Sequence, residues 1–142
     1  RGQVGYDMAQ NGAALVHGCD IDAESIDVAR HWFADSRAVE HQFEVVDLTK
    51  GPKALAAFGG RPYDIVLMLA TYHKLKRIMS EAALADLMVS FGNRTTKWSE
   101  KANDNELEIQ ALDRTLRGCG LKRVHTSYIS QTLGVAAIWE RV

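Results

Sequence analysis

Hydrophobic positions along the chain alternate between short unbroken runs and a spacing of three to four residues, the marks of buried strands and one-sided helices. Residues 3–11 carry a helical pattern that Asn11-Gly12 stops. Residues 14–19 form the first apolar run and predict a strand, closed by Gly18-Cys19. In residues 23–35, Ile26, Ala29, Trp32 and Phe33 fall on one helical face, with Asp22 placed to cap it. Residues 41–46 alternate and predict a strand that ends at Asp47. Residues 53–58 predict a brief helix between Gly51-Pro52 and Gly59-Gly60.

The second half continues the alternation. Residues 63–70 contain I-V-L-M-L-A, a run without polar interruption, as in a parallel strand covered on both faces. Residues 75–91 predict a helix in one or two pieces, stopped by Gly92-Asn93. A short strand is predicted at 94–98. The helix at 105–117 turns Leu107, Ile109, Leu112 and Leu116 inward, and Gly118 and Gly120 end it. Residues 121–129 and 134–141 are the last strands. Only residues 130–133 separate them, so they should pair antiparallel as a hairpin. Strand–helix alternation closing on a hairpin predicts a doubly wound α/β layout, mostly parallel, with one reversed edge strand. No repeat, low-complexity tract or linker interrupts the pattern, so residues 1–142 predict a single domain.

Composition narrows the function without naming it. At 46% hydrophobic and 25% charged, the chain is ordinary for a soluble globular protein. Its 17 basic and 18 acidic residues leave a net charge of −1, without the cationic excess that sequence-independent nucleic-acid binding requires. No apolar run approaches the ~20 residues of a membrane span, and no signal peptide is visible at the N-terminus. Cys19 and Cys119 are isolated, each beside a glycine, and predict buried reduced thiols and a cytoplasmic setting. The five histidines are scattered and there is no C-x-x-C, so no metal site is expected.

The candidate chemistry gathers at strand ends. A glycine turn at Gly2, a helix, a buried strand and an acidic residue at its end form the ribose-reading half of a nucleotide site. The glycine admits backbone close to the ligand, and the carboxylate accepts from the ribose hydroxyls. Gly2 and Asp20 are 18 positions apart, against the roughly 20 such a unit expects. That combination serves NAD equally well. A glycine loop of this kind needs a strand to launch it. The chain opens at Arg1 inside the motif, which reads as an N-terminal truncation. Asp20 and Asp47 each have a plainer reading: Asp20 as a cap of the turn into the next helix, a job Asp22 could share, and Asp47 as a strand-end turn residue. Lys74, Lys76 and Arg77 read as a solvated helix face or as an anion contact. Trp98 either lines a pocket or joins Trp32 and Trp139 in the core. Residues 101–108 read as a charged surface loop, with a lid as the alternative.

Four segments in order carry a resemblance: G-Q-V-G-Y-D-M-A-Q-N-G-A from Gly2, G-C-D-I-D from Gly18, F-E-V-V-D-L from Phe43, and Y-D-I-V-L-M-L-A-T-Y-H-K-L from Tyr63. Together with the terminal hairpin, the chain resembles class I S-adenosylmethionine-dependent methyltransferases over nearly its whole length. The resemblance implies a Rossmann-like sheet and S-adenosylmethionine as cofactor. Gly2 and Gln3 would present backbone near its methionine portion. Asp20 would bind the ribose hydroxyls, and Ile21 would pack on the adenine. Asp47 would accept from the adenine amino group, with Leu48 on the ring face. Leu69 and Ala70 would lie beneath the methionine portion, with Tyr72 and His73 bordering the transfer position. His73 is then a candidate general base for a hydroxyl or amine, or else a helix cap or packing residue.

What this chain lacks also matters. The family's first strand, central in its sheet, precedes Arg1, and a sheet without it would expose edges that invite a homodimer. Ala70-Thr71-Tyr72-His73 stands where amino-directed nucleic-acid methyltransferases carry Asn/Asp-Pro-Pro-Tyr/Phe, which disfavours nucleic-acid acceptors. The expected activity is methyl transfer to a small-molecule or sugar-like acceptor. An NAD-dependent oxidoreductase and a non-catalytic binding module of the same fold are the alternatives.

Overall fold

The computed structural model describes residues 2–102, 106–130 and 134–142. They fall into two compact units, Arg1–Gly59 and Gly60–Val142.

The first unit runs α1 (Gln3–Gln10), β1 (Leu15–Asp20), α2 (Ala23–Phe33) and β2 (Glu40–Val45). A 3-10 segment, Leu48–Phe58, follows. β1 and β2 pair in parallel, from Leu15 opposite Glu40 to Asp20 opposite Val45. Phe33, fully buried, centres a core with Ala9, Ile26, Ala29 and Phe43. Its ring meets Phe43 at 4.9 Å and Tyr6 edge-on at 5.6 Å. Arg30 ties α2 to β2, donating to the Phe43 carbonyl from Nε at 3.2 Å and Nη2 at 2.7 Å. Asp22 caps α2 as expected, accepting from the Ser25 N–H at 3.1 Å and its hydroxyl at 2.6 Å. Such a cap contributes about 1 kcal/mol.

Two expectations change here. Trp32 is not core but 44% exposed, resting on Tyr6 at 5.3 Å. Adjacent helical residues point about 100° apart, and Phe33 takes the inward direction. The helix expected at 53–58 begins earlier, at Leu48. It is broken at Gly51, whose φ of 73° lies outside helical space.

The second unit runs β3 (Tyr63–Leu69), α3 (Tyr72–Ile78), α4 (Glu81–Gly92), β4 (Thr95–Ala102), α5 (Glu106–Gly118), β5 (Leu121–Ser130) and β6 (Gly134–Arg141). Its sheet has the order β3-β4-β6-β5. β3 and β4 are parallel, and β6 is antiparallel to both β4 and β5. The terminal hairpin is therefore present, but its reversed strand is interior and β5 takes the edge. Of the expected connection at 130–133, Ser130 ends β5 and residues 131–133 lie outside the described residues.

The helix expected at 75–91 is two. Met79 turns extended, and Ser80 caps α4 by accepting from the Ala83 N–H at 3.3 Å. β4 is longer than the strand expected at 94–98. Its ladder with β6 continues to Ala102 opposite Val135, so Lys101 and Ala102 belong to the sheet, not to a loop. Residues 103–105, the heart of the suggested lid, lie outside the described residues. Leu107 is 67% exposed, whereas Ile109, Leu112 and Leu116 are buried as expected. β3 is half-buried rather than covered on both faces. Only its Met68 is fully inside, because β3 forms one edge of this sheet.

Trp98 and Trp139 face each other across β4 and β6 with no exposed surface. Trp98 is thus a core residue and not a pocket wall. Buried Asp113 of α5 accepts from the Trp139 indole N–H at 2.8 Å and pairs with Arg117 at 2.9 Å. Arg141 gathers the carbonyls of Gly92 at 2.8 Å, Cys119 at 2.7 Å and Thr95 at 2.8 Å, satisfying the end of α4. Among the described residues no helix is long and apolar enough to cross a membrane.

Candidate functional site

In the first unit the chain enters α1 through Gly2, whose φ of 85° only glycine adopts without strain. A Cβ built there would stand 2.6 Å from the Ala29 Cβ and 2.8 Å from its Cα, so side-chain bulk is excluded by α2 as well. Gly18 on β1 is similarly confined: a Cβ would lie 2.7 Å from the Phe43 ring. These absences of side chain leave a hollow of about 80 Å³, lined by Gly2, Gly18, Cys19, Asp20, Ser25, Ile26, Ala29 and Phe43. It is a notch far smaller than a whole nucleotide cofactor.

Asp20 sits at the rim of that notch, exposed, at the carboxyl end of β1. Its Oδ1 accepts from the Asp22 N–H at 3.0 Å, which fixes the carboxylate on its turn. Asp20 thus caps the turn into α2 while Asp22 caps the helix itself, which is the plainer reading of Asp20. Ile21 is 66% exposed beside it. Burial pushes the neighbouring Cys19 thiol up to about 11, which makes it a poor nucleophile.

Asp47 follows the carboxyl end of β2. Its Oδ1 accepts from the Thr49 hydroxyl at 2.6 Å and the Thr49 N–H at 3.0 Å. The hydroxyl first, and then the backbone N–H, hold the acid below the usual carboxylate range. It is therefore an anion at neutral pH, fit to accept from an amino group. The same bonds make it a strand-end turn, the plainer reading of Asp47. Leu48 opens the 3-10 segment, half-buried, and Gln3 is the first, exposed residue of α1.

In the second unit Leu69 ends β3 at 45% exposed. Ala70 turns the chain with φ 55°, the one non-glycine in left-handed space among the described residues. Such a residue costs on the order of 1–3 kcal/mol and concentrates at functional turns. Tyr72 and His73 are the first two residues of α3; the N-cap position is Thr71, whose side chain makes no capping bond, so His73 is not the helix cap. His73 Nδ1 is buried with no hydrogen-bond partner among the described residues. Tyr72 is buried, and its hydroxyl is pushed above its ordinary value, by burial first and then by Glu108 and Glu100. Lys74, Lys76 and Arg77 are exposed along α3, as a solvated face would be.

Glu100 is the residue that the sequence reading passed over. It lies on β4 opposite Met68, 1% exposed, with neither carboxyl oxygen hydrogen-bonded within the described residues. Burial pushes its pKa up to about 9; Trp98 pulls against this through its nearby indole N–H, without the geometry of a hydrogen bond. A parity signal was present. Extending the predicted strand by two residues puts Glu100 on the face of buried Trp98.

No protein-family model matches the chain, and no curated protein matches it either. Solved structures do. Magnesium protoporphyrin IX methyltransferase from Synechocystis PCC 6803, with bound SAM, is similar at a TM-score of 0.69 and 17% identity, over 99% of this chain and 65% of that one. The bifunctional kinase-methyltransferase WbdD reaches 0.71 at 15% identity, over 98% and 32%. The ribosomal protein L11 methylase from Lactobacillus delbrueckii subsp. bulgaricus reaches 0.68 at 16%, over 99% and 65%. The chain spans less than two thirds of each. At these identities the likeness shows the fold: the class I S-adenosylmethionine-dependent methyltransferase fold, mixed α/β with parallel strands and a C-terminal antiparallel hairpin.

Proposed function

We propose that the chain binds S-adenosylmethionine and serves methyl transfer to a small-molecule acceptor, hydroxyl- or amine-bearing and sugar-like in size. The observation that carries this reading is the notch of the first unit. Gly2 leaves a cradle that a Cβ would fill, and exposed Asp20 stands at its rim. The residues fit the cofactor: backbone at Gly2 and Gln3, a fixed carboxylate for two ribose hydroxyls, exposed Ile21 for an adenine face, and ionised Asp47 with Leu48 for its amino edge. Leu69, Ala70, Tyr72 and His73 keep the roles that the resemblance implies, at the methionine and acceptor end.

The bound cofactor supplies an electrophilic methyl group on a sulfonium. The protein's task is then alignment, and holding reactants in line can supply about 7–11 kcal/mol of the barrier. No strongly activated nucleophile is needed, so His73 acts at most as an auxiliary base, its Nδ1 positioned in a buried setting without a competing bond.

Calorimetric titration of S-adenosylhomocysteine tests the reading. Saturable binding is expected, weakened about ten- to a hundredfold by Asp20→Ala, the loss of hydrogen bonds to a charged group. Tight NAD binding in the same assay would replace the proposal with a nicotinamide oxidoreductase. Binding of neither would leave a non-catalytic module of this fold.

A further inference from the structure

The second unit carries a hollow at the edge of its sheet away from the Ala70 turn. Because β6 is antiparallel to both β4 and β5, β5 runs in the same direction as β4 and β3. The start of β5 therefore lies at the opposite sheet edge from Leu69, which ends β3. There Arg117, Gly120, Leu121, Lys122, Arg123 and Val142 line an open hollow of about 500 Å³, within the roughly 300–1,000 Å³ of small-molecule sites. Gly120, at φ 77°, turns α5 directly into β5, so three cations close in sequence reach one space.

Those cations are held in place but not neutralised. Buried Asp113 meets Arg117 Nη2 at 2.9 Å and Arg123 Nε at 3.9 Å, so two guanidiniums share one carboxylate. Asp113 is itself fixed in the core by the Trp139 N–H at 2.8 Å. Arg123 Nη1 has no hydrogen-bond partner among the described residues. Glu140, opposite Lys122 in the ladder, is taken by Lys97 at 2.8 Å. Three cations against Asp113 leave the lining positive, and a carboxylate at Val142 would not reverse that sign.

We propose that this hollow binds a small phosphorylated molecule, its phosphate held by Arg117, Lys122 and Arg123. A phosphate monoester carries about −1.5 to −2 charges at neutral pH and three acceptor oxygens, enough for two guanidinium forks and an ammonium together. A carboxylate brings one charge and two oxygens, which a single fork fills. Asp113 is the positioning residue: pairing with both guanidiniums, it lowers the cost of ordering them when the ligand binds. The site does not rest on the methyl-transfer reading and shares no residue with it.

Glycerol 3-phosphate is the probe, with glycerol and acetate as controls, titrated at pH 7 into the whole chain labelled with nitrogen-15 and read at the arginine Nε resonances. Saturable shifts of Arg117 and Arg123 are expected with glycerol 3-phosphate, with acetate weaker by about tenfold or more and glycerol without effect. Arg123→Gln should weaken binding by about tenfold or more, and Lys122→Gln, at an exposed position, by about threefold. Lys76→Gln, exposed on α3, should change nothing. Unmoved Arg117 and Arg123 resonances, acetate binding as tightly as the ester, or Lys76→Gln weakening binding as much as Lys122→Gln would each overturn the site. A short oligouridylate that moves these resonances where glycerol 3-phosphate does not would replace it with a nucleic-acid surface. The unsubstituted protein decides the matter should Arg123→Gln fold poorly.

Discussion

A carboxyl that folds neutral and unfolds charged makes stability depend on pH, and Glu100 gives that dependence an unusual sign. Its pKa in the folded chain is about 9, against 4.5 for an ordinary glutamate. Between those values the unfolded chain has released the proton while the folded chain retains it. Stability therefore falls as pH rises through this window, at about 1.4 kcal/mol per unit, and levels off above the folded pKa. From pH 6 to pH 8 the loss is about 3 kcal/mol, a large share of the roughly 5–15 kcal/mol that holds a domain together. The other groups with shifted values act outside this range. Asp47 is lowered and titrates in acid, whereas Cys19, Cys119, Tyr72 and Tyr128 are raised from values already alkaline.

Glu100→Gln isolates the effect, since the amide imitates the neutral acid and cannot ionise. Urea denaturation at pH 6, 7 and 8 is the assay. At pH 6 the variant already gains stability, because the unfolded glutamate has lost its proton there. The gain over the unsubstituted protein should grow by about 3 kcal/mol on reaching pH 8. Parallel pH profiles for the two proteins would refute the reasoning, because Glu100 would then titrate alike in both states. A difference confined to alkaline pH above 9 would refute it equally.

Three further outcomes follow from the geometry. Gly18→Ala drives a Cβ to 2.7 Å from the Phe43 ring and should cost about 1–3 kcal/mol in urea denaturation; an unchanged midpoint would mean that the notch relaxes freely. Asp113→Ala strips the acceptor from the buried Trp139 N–H and should cost about 1–3 kcal/mol, with a changed Trp139 indole resonance as its signature. Thr49→Ala removes the hydroxyl that chiefly holds Asp47 down, so the Asp47 titration midpoint, read by carboxyl NMR, should rise toward the ordinary aspartate value. A midpoint that stays put would assign the shift to backbone alone.

The first unit was legible because its geometry is set locally. Asn11-Gly12, the run ending in Gly18-Cys19 and the Asp22 cap each act within a few residues, and each determines where an element starts or stops. What the pattern could not show is competition for one interior. Trp32 and Phe33 are equally apolar neighbours, yet the aromatic cluster of Tyr6, Phe43 and Phe33 admits only one of them. The second unit was less legible because its sheet is assembled from distant pieces. The run from Tyr63 reads as a strand covered on both faces, but strand order makes it an edge, and order is not written in local composition. β4 was cut short for a related reason. Lys101 and Ala102 look like loop residues until β6 supplies the ladder that holds them extended.

That ladder also explains why the residue with the most unusual chemistry in the second unit was the hardest to see. Charge in a strand pattern signals a solvated face, and a glutamate between Ser99 and Lys101 offers no local reason to be inside. Parity, not polarity, decides it. β4 puts Trp98 and Glu100 on one side, Trp98 is held by Trp139 opposite, and the carboxyl is carried inward with it. Reversing the argument gives a test of cause. If Trp98 anchors the register, Trp98→Ala should loosen that face and let water reach the carboxyl. The Glu100 titration would then move from about 9 toward 4.5. Should the titration fail to fall in that variant, where the lowering pull of the Trp98 indole is gone as well, water would not have reached the carboxyl and Trp98 would not be what anchors that face.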